Sequence, residues 1–217
     1  MFVVAVEADR LDAVYAADPA GIIEHGGWFE VFFEDRAAAQ QFGDPIECPE
    51  EDWEQKNYDA WPPLLVGDKF FVVAPWRGDP TPPGRFRLEL NPGMQCGTGQ
   101  HPCTQLCLEA MERVVRPGDS VLDVGSGSGI LSIAAKLLGA GRVVACDIDP
   151  DAAKPVPFFA GSVDAVRSGA FDVVVANINE SVIEELHPEL VRVAQTRILS
   201  GFRDDAGAWI CRVEYNQ

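Results

Sequence analysis

Residues 120–130 read Ser120-Val121-Leu122-Asp123-Val124-Gly125-Ser126-Gly127-Ser128-Gly129-Ile130. Val121, Leu122 and Val124 make a short apolar run of the kind that strands carry when both faces of a parallel sheet are covered. The alternate glycines that follow let the backbone come close to a ligand. Residues 130–138 then have the pattern of a helix, whose N-terminus favours a carboxylate or a phosphate. A dinucleotide fingerprint, Gly-x-Gly-x-x-Gly, has glycine where Ile130 stands, so a dehydrogenase is disfavoured.

Working outward, strands are predicted at Arg142–Asp147, from residue 158, and at 171–176, 197–202 and 209–213, with helices at 102–115 and 181–186. Val/Ile-rich strands alternating with helices predict an α/β fold, a doubly wound and mostly parallel sheet. Two connections are short for it. Residues 148–157, which include Pro155 and Pro157, leave little room for a helical crossover. Residues 201–209 are short both for a crossover and for a long hairpin excursion.

Upstream, residues 1–50 read as a small α+β domain. Strands at 2–6 and Trp28–Phe33, helices at 11–17 and 36–42, a glycine turn at Gly26-Gly27 and an extended piece from Pro45 give the order β-α-β-β-α-β of a ferredoxin-like unit. Residues 51–66 are acidic, aromatic and interrupted by Pro62-Pro63, and read as a linker that begins helical. The remainder, 67–217, starts with strands at 69–74 and 86–90.

The chain has 217 residues, with 47% hydrophobic and 24% charged, a balance that sustains a folded core. Seventeen Lys and Arg against 34 Asp and Glu leave a net charge of −17. That balance opposes a nucleic-acid binder with a broad basic footprint and is compatible with a basic partner. No apolar run has the length of a membrane span. The opening MFVVAVEADR lacks the basic region of a signal peptide, so a cytoplasmic protein with reduced thiols is expected. Cys96, His101, Cys103 and Cys107 are the only local group of metal-type ligands, but they lack paired Cys-x-x-Cys spacing. Packing on a helix is the expected role of Cys103 and Cys107, and no metal is predicted.

Three positions follow as ligand contacts. Asp147 ends a strand 22 residues after Gly125, where a carboxylate accepts ribose hydroxyls; its competing role is an N-cap. Asp149 and Asp151 are expected to solvate or cap the turn behind it. Ser162 lies in Gly161-Ser162-Val163-Asp164 after the third strand, near where an adenine sits in such folds. Asn177 ends the strand Phe171-Asp-Val-Val-Val-Ala-Asn177, where side chains line the crevice. Its amide oxygen accepts from an amine without burying a charge; the alternative is a helix cap shared with Asn179 or Ser181. His101 is either a base or, more in keeping with a lone loop histidine, structural.

The segments NPGMQCGTGQHPCTQLCLEAM (91–111), VLDVGSGSGILSIAA (121–135), ACDIDPDA (145–152) and VVVANI (173–178), in this order, resemble the ribosomal protein L11 methyltransferase (PrmA) family. The resemblance covers roughly residues 52–202 and rests most on the GTGxHPxT loop. It implies a Rossmann-like S-adenosyl-L-methionine (SAM)-dependent domain behind a small substrate-recognition domain. The implied reaction is methylation of lysine ε-amino and N-terminal α-amino groups of ribosomal protein L11. Carried over by position, the cofactor contacts fall on Thr104, Gly125, Asp147 and Asn177, joined by Gly127 and Ser162, with Asn177 as the catalytic residue. Cys103 stands where the family has threonine, and the family's helix after DIDPDA is missing. Two other functions remain compatible: a protein-lysine methyltransferase with a non-ribosomal substrate, and a SAM-binding or interaction module without catalysis.

Overall fold

The computed structural model describes residues 1–25, 27–47, 61–91 and 99–216. Cys48, Cys96, Gly26 and most of the expected linker lie outside them. The chain divides into two units, Met1–Asp59 and Ala60–Gln217.

In the first unit β1 (Phe2–Glu7), α1 (Leu11–Ala16), β2 (Gly21–His25), β3 (Trp28–Phe33), α2 (Arg36–Gln40) and β4 (Ile46–Glu47) follow one another. The sheet order is β2-β3-β1-β4, antiparallel at every pairing, which is the interleaved ferredoxin-like topology. Period-two burial explains it: Val4 and Val6 of β1 and Val31 and Phe33 of β3 turn one way onto Val14, Ala39 and Phe42. Asp35 caps α2 by accepting from the Ala37 N–H at 3.1 Å. That helix stops two residues earlier than expected, and Phe42 folds back to stack on Phe33 at 5.4 Å.

The second unit begins with β5 (Leu64–Val66), β6 (Phe70–Val73) and β7 (Phe86–Glu89), a small sheet in which β5 runs antiparallel and β7 parallel to β6. Leu64–Val66, assigned to the linker from the sequence, is therefore a strand: Pro62-Pro63 excludes a helix but leaves the residues after it free to pair. Glu112 fastens this sheet by accepting from the Asp68 and Lys69 N–H groups at 3.0 and 2.8 Å.

Next come α3 (Pro102–Val114), β8 (Ser120–Val124), α4 (Ile130–Leu137), β9 (Arg142–Asp147), β10 (Phe158–Ala160), β11 (Phe171–Asn177), α5 (Glu180–Val193), β12 (Ala194–Arg203) and β13 (Trp209–Tyr215). Strand order is β10-β9-β8-β11-β12-β13, parallel except for β13. This is the α/β doubly wound, Rossmann-like class. Val121 packs into the cluster built by α3, α4 and the small sheet, while Leu122 packs into the cluster built by α5. Both faces of β8 are covered, the physical reason for its short apolar run. Helix α5 runs on to Val193 through Pro188, well past the expected end at 186. Leu190 and Val193, both fully buried, hold its second half against the sheet despite the lost N–H.

Each short connection has its own solution. Residues 148–157 form no helix. Successive Asx turns start the return: the Asp149 N–H donates to Asp147 Oδ1 at 3.0 Å and the Asp151 N–H to Asp149 Oδ1 at 2.9 Å. Ala153 then donates to the Gly127 carbonyl at 2.9 Å, and β10 pairs with β9 over three residues. Residues 204–208 make a tight hairpin, with Asp204 Oδ1 accepting from the Ala206 and Ala208 N–H groups at 3.0 and 2.8 Å. Just before it a bulge at Gly201 bends β12.

Gly201 has φ +115°, and a Cβ there would lie 1.8 Å from the Ile178 carbonyl oxygen. Backbone cannot yield as a side chain can. Gly201→Ala is expected to lower unfolding free energy by about 2 kcal/mol or more, read by urea denaturation, whereas Gly207→Ala in the open hairpin turn should cost less.

Candidate functional site

The carboxyl ends of β8, β9 and β11 open onto a cleft of about 690 Å³. Open α/β sheets bind ligands at this end. Thr104, Gly125, Gly127, Asp147, Ser162 and Asn177 all line it, so one cleft brings together all six expected cofactor contacts.

The glycine turn is built by backbone conformation. Gly125, Gly127 and Gly129 have φ of +69°, +49° and +75°. Space is as restrictive as conformation at Gly125, where a Cβ would meet Ile178 Cγ2 at 2.3 Å. The Gly125 and Ser126 N–H groups donate to the Cys146 carbonyl at 2.9 and 3.2 Å, and Gly127 N–H donates to Asp147 Oδ2 at 2.9 Å. Asp147 is thus no helix cap. It ties the turn to the end of β9 while each carboxylate oxygen keeps a further lone pair.

Asn177 Nδ2 donates to Thr104 Oγ1 at 3.2 Å, joining the end of β11 to the first turn of α3. Asn179, not Asn177, is the residue before α5, so the capping alternative for Asn177 does not apply. His101 is the N-cap of α3: its Nδ1 accepts from the Cys103 N–H at 3.3 Å, with Pro102 in the first turn. That is the structural role. The same ring meets Trp209 edge-on at 4.8 Å, and both residues line the cleft.

The sequence reading missed Trp209, Ile148 and Ser126 as cleft residues. Ile148 offered a signal: an apolar side chain directly after a strand-ending acid, here 85% exposed. Trp209 offered none, because its position depends on the hairpin. Cys103 and Cys107 are buried on α3 as expected. Among the described residues no group of His, Cys, Asp or Glu is arranged to hold a metal.

Beneath the turn, Asp123 is 1% exposed, and its Oδ2 accepts from Ser132 Oγ at 2.6 Å. Among the described residues its Oδ1 and the buried Ser126 Oγ have no hydrogen-bond partner. Burial pushes the Asp123 carboxyl up from 3.8 to about 6, with Asp147 adding repulsion and the Ser132 hydrogen bonds opposing. The folded protein therefore holds this proton more tightly than the unfolded chain. As pH rises from below 3.8 through about 6, stability is lost, by roughly 3 kcal/mol for this group alone at neutral pH. Thermal unfolding at pH 5 and pH 7 is expected to show this loss in the wild type, and Asp123→Asn should flatten that part of the slope.

A family model described as ribosomal protein L11 methyltransferase (PrmA) matches residues 34–206. A ribosomal protein L11 methyltransferase of Burkholderia multivorans is 37% identical over 199 residues, covering 81% of this chain and 66% of its own length. One from Methylobacillus flagellatus is 42% identical over 156 residues, covering 68% and 52%. The chain thus spans roughly half to two thirds of the length of these curated relatives. The crystal structure of a ribosomal protein L11 methylase from Lactobacillus delbrueckii subsp. bulgaricus superposes with a TM-score of 0.62 at 26% identity, over 71% of this chain and 99% of that one. Since the family model takes in both the end of the first unit and nearly all of the second, the chain belongs to the ribosomal protein L11 methyltransferase (PrmA) family.

Proposed function

We propose that this chain is a SAM-dependent protein N-methyltransferase that modifies lysine ε-amino and N-terminal α-amino groups of ribosomal protein L11. The observation that carries the reading is the Asn177–Thr104 hydrogen bond on the same cleft as the glycine turn and Asp147. It joins a candidate amine-orienting group to a candidate cofactor cradle.

The residues present fit such a cofactor. The turn at 125–129 allows close backbone approach, and Asp147 keeps acceptor capacity for ribose hydroxyls. Ser126 Oγ, buried and without a partner among the described residues, is a polar group that a bound ligand or water satisfies. Ser162 and Ile148 suit the adenine end, one polar and one apolar. When bound, SAM supplies a methyl group on a sulfonium, already a strong electrophile.

What remains for the protein is positioning. An unperturbed lysine has a pKa of about 10.4, so reaching the neutral amine at pH 7.4 costs about 4 kcal/mol, and desolvation in the cleft lowers that cost. Asn177 donates through Nδ2 to Thr104, so its Oδ1 is the acceptor end that orients an amine N–H. Neighbouring backbone carbonyls complete the orientation, and no dedicated strong base is required.

In this reading residues 1–50 form the substrate-recognition domain and 67–217 the methyltransferase domain. The charge of −17 favours encounter with a basic ribosomal protein. Work on such a protein is cytoplasmic. Among the described residues no helix is long and apolar enough to cross a membrane.

The test is the intact mass of recombinant ribosomal protein L11 after incubation with this chain and SAM. Stepwise replacement of hydrogen by methyl is expected, and Asn177→Ala should slow it by about 100-fold. Cofactor binding by calorimetry with an unmodified L11 would instead favour a non-ribosomal protein substrate or a non-catalytic module. Full turnover in Asn177→Ala would remove that residue's assignment.

A further inference from the structure

Among the described residues β13 is the last strand of the six-stranded sheet and pairs only with β12. The Asn216 N–H donates to the Gln195 carbonyl at 3.0 Å, and Ser200 Oγ donates to the Ile210 carbonyl at 2.8 Å. Backbone groups alternate in direction along an antiparallel strand, so Ile210, Arg212 and Glu214 point theirs at β12. Cys211, Val213 and Tyr215 therefore turn theirs toward the open edge. The usual devices that blunt an edge are missing from this stretch: it has no proline, lysine or glycine, and the bulge lies in β12.

The side chains sort by face. Cys211 and Val213 are half-buried against the cluster beneath α3, and Tyr215, on the same face, is 65% exposed. Arg212 and Glu214 stand on the other face. Arg212 is exposed, with its guanidinium 4.4 Å from the centre of the Phe202 ring. Glu214 Oε2 accepts from Arg197 Nε at 3.0 Å and lies 2.9 Å from His187 Nε2, which leaves Oε1 for another cation. A two-residue charge pattern, one base and one acid, thus flanks Val213 along the edge.

We propose that two copies of this chain pair β13 to β13, antiparallel across a two-fold axis, joining their six-stranded sheets into one. Charge selects the register. The outward backbone groups allow the axis to pass through residue 211, 212, 213 or 214. At 212 or 214 it sets Arg212 against Arg212 or Glu214 against Glu214, and like charges directly opposite are destabilising. At 211, Arg212 faces Ile210. At Val213, Arg212 of each copy stands opposite Glu214 of the other, Tyr215 opposite Cys211, and Val213 opposite Val213. In that register every outward N–H and C=O of Cys211, Val213 and Tyr215 meets a partner. An edge that answers itself in both charge and hydrogen bonding is the isologous interface of a two-fold dimer.

Helix α3 packs over β12 and β13. With strands about 4.8 Å apart, the two copies of α3 come to lie about 10 Å apart across the axis, a helix-packing distance. The parallel strands of the two copies run in opposite directions, so their clefts open at opposite ends of the joined sheet. The pairing is independent of the proposed function.

Sedimentation velocity on the full chain, from low to high micromolar concentration, is expected to show a dimer of twice the chain mass. On dimerisation the amides of Cys211, Val213 and Tyr215 should exchange with deuterium more slowly. Val213→Pro removes an outward N–H and leaves the β12 ladder intact, as edge strands tolerate. It should raise the dimer dissociation constant about tenfold or more. Arg212→Glu should weaken the dimer as well, by setting acids opposite each other, and a urea midpoint near that of the wild-type monomer shows that each variant folds. A chain that stays monomeric throughout overturns the pairing, also where its 211–215 amides exchange slowly, because the chain then covers its own edge. A dimer indifferent to both substitutions overturns this edge as its interface. The wild-type exchange pattern decides without either variant: a dimer whose outward amides stay as fast as in the monomer overturns it too.

Discussion

Asp147 is the joint on which the cleft depends. Its Oδ2 accepts from Gly127, its Oδ1 from Asp149, and its own carbonyl from Gly161. One residue at the end of β9 therefore fixes the glycine turn after β8, the start of the return loop and the end of β10. The Gly125 and Ser126 N–H groups close the same corner through the Cys146 carbonyl. These donors sit at strand and helix ends, where the regular ladders leave backbone groups unpaired, and an unmet N–H there costs as much as a lost hydrogen bond. The carboxylate meets two of them and still faces the cleft. Its structural and its proposed ligand-binding duties use different lone pairs of the same two oxygens.

Crowding supplies the second constraint. Ile178, directly after Asn177, fills the space over Gly125 with its side chain and the space beside Gly201 with its backbone. Neither glycine tolerates a Cβ, so β8, β11 and β12 approach each other closely at their carboxyl ends. That approach sets the end of β11, and with it the hydrogen bond from Asn177 to Thr104 on α3. Beneath the turn, the protonation-sensitive Asp123 is held by a single serine. A buried carboxyl with one unmet oxygen is a local cost to stability, located directly under the turn proposed to hold the cofactor.

The abbreviated connections show how a doubly wound sheet keeps its strand order with little chain. A parallel crossover normally takes a helix. Here consecutive aspartates make the turns that a helix would have made, and β10 pairs over three residues only. On the opposite edge, a five-residue turn organised by Asp204 replaces a longer excursion and leaves β13 antiparallel. That hairpin brings Trp209 to the cleft beside His101 and packs Cys211 against the core beneath β13.

The α/β class, the bounds of β8 and β9, and Gly125, Gly127, Asp147, Ser162 and Asn177 at the cleft were legible in the sequence because each carries a local physical mark, whereas Thr104 came only from the family resemblance. Period and apolar run length identify covered strands, and glycine spacing identifies a turn with positive φ. A polar residue closing an apolar run identifies a strand end. Pairing left no such mark. Leu64–Val66 became a strand because β6 lay alongside, and α5 passed Pro188 because Leu190 and Val193 had a core to enter. Only tertiary structure decided that Asn177 meets Thr104 and that Trp209 meets His101. Each pair joins residues from different elements, and contact between elements follows from packing and register, which no local stretch of sequence encodes.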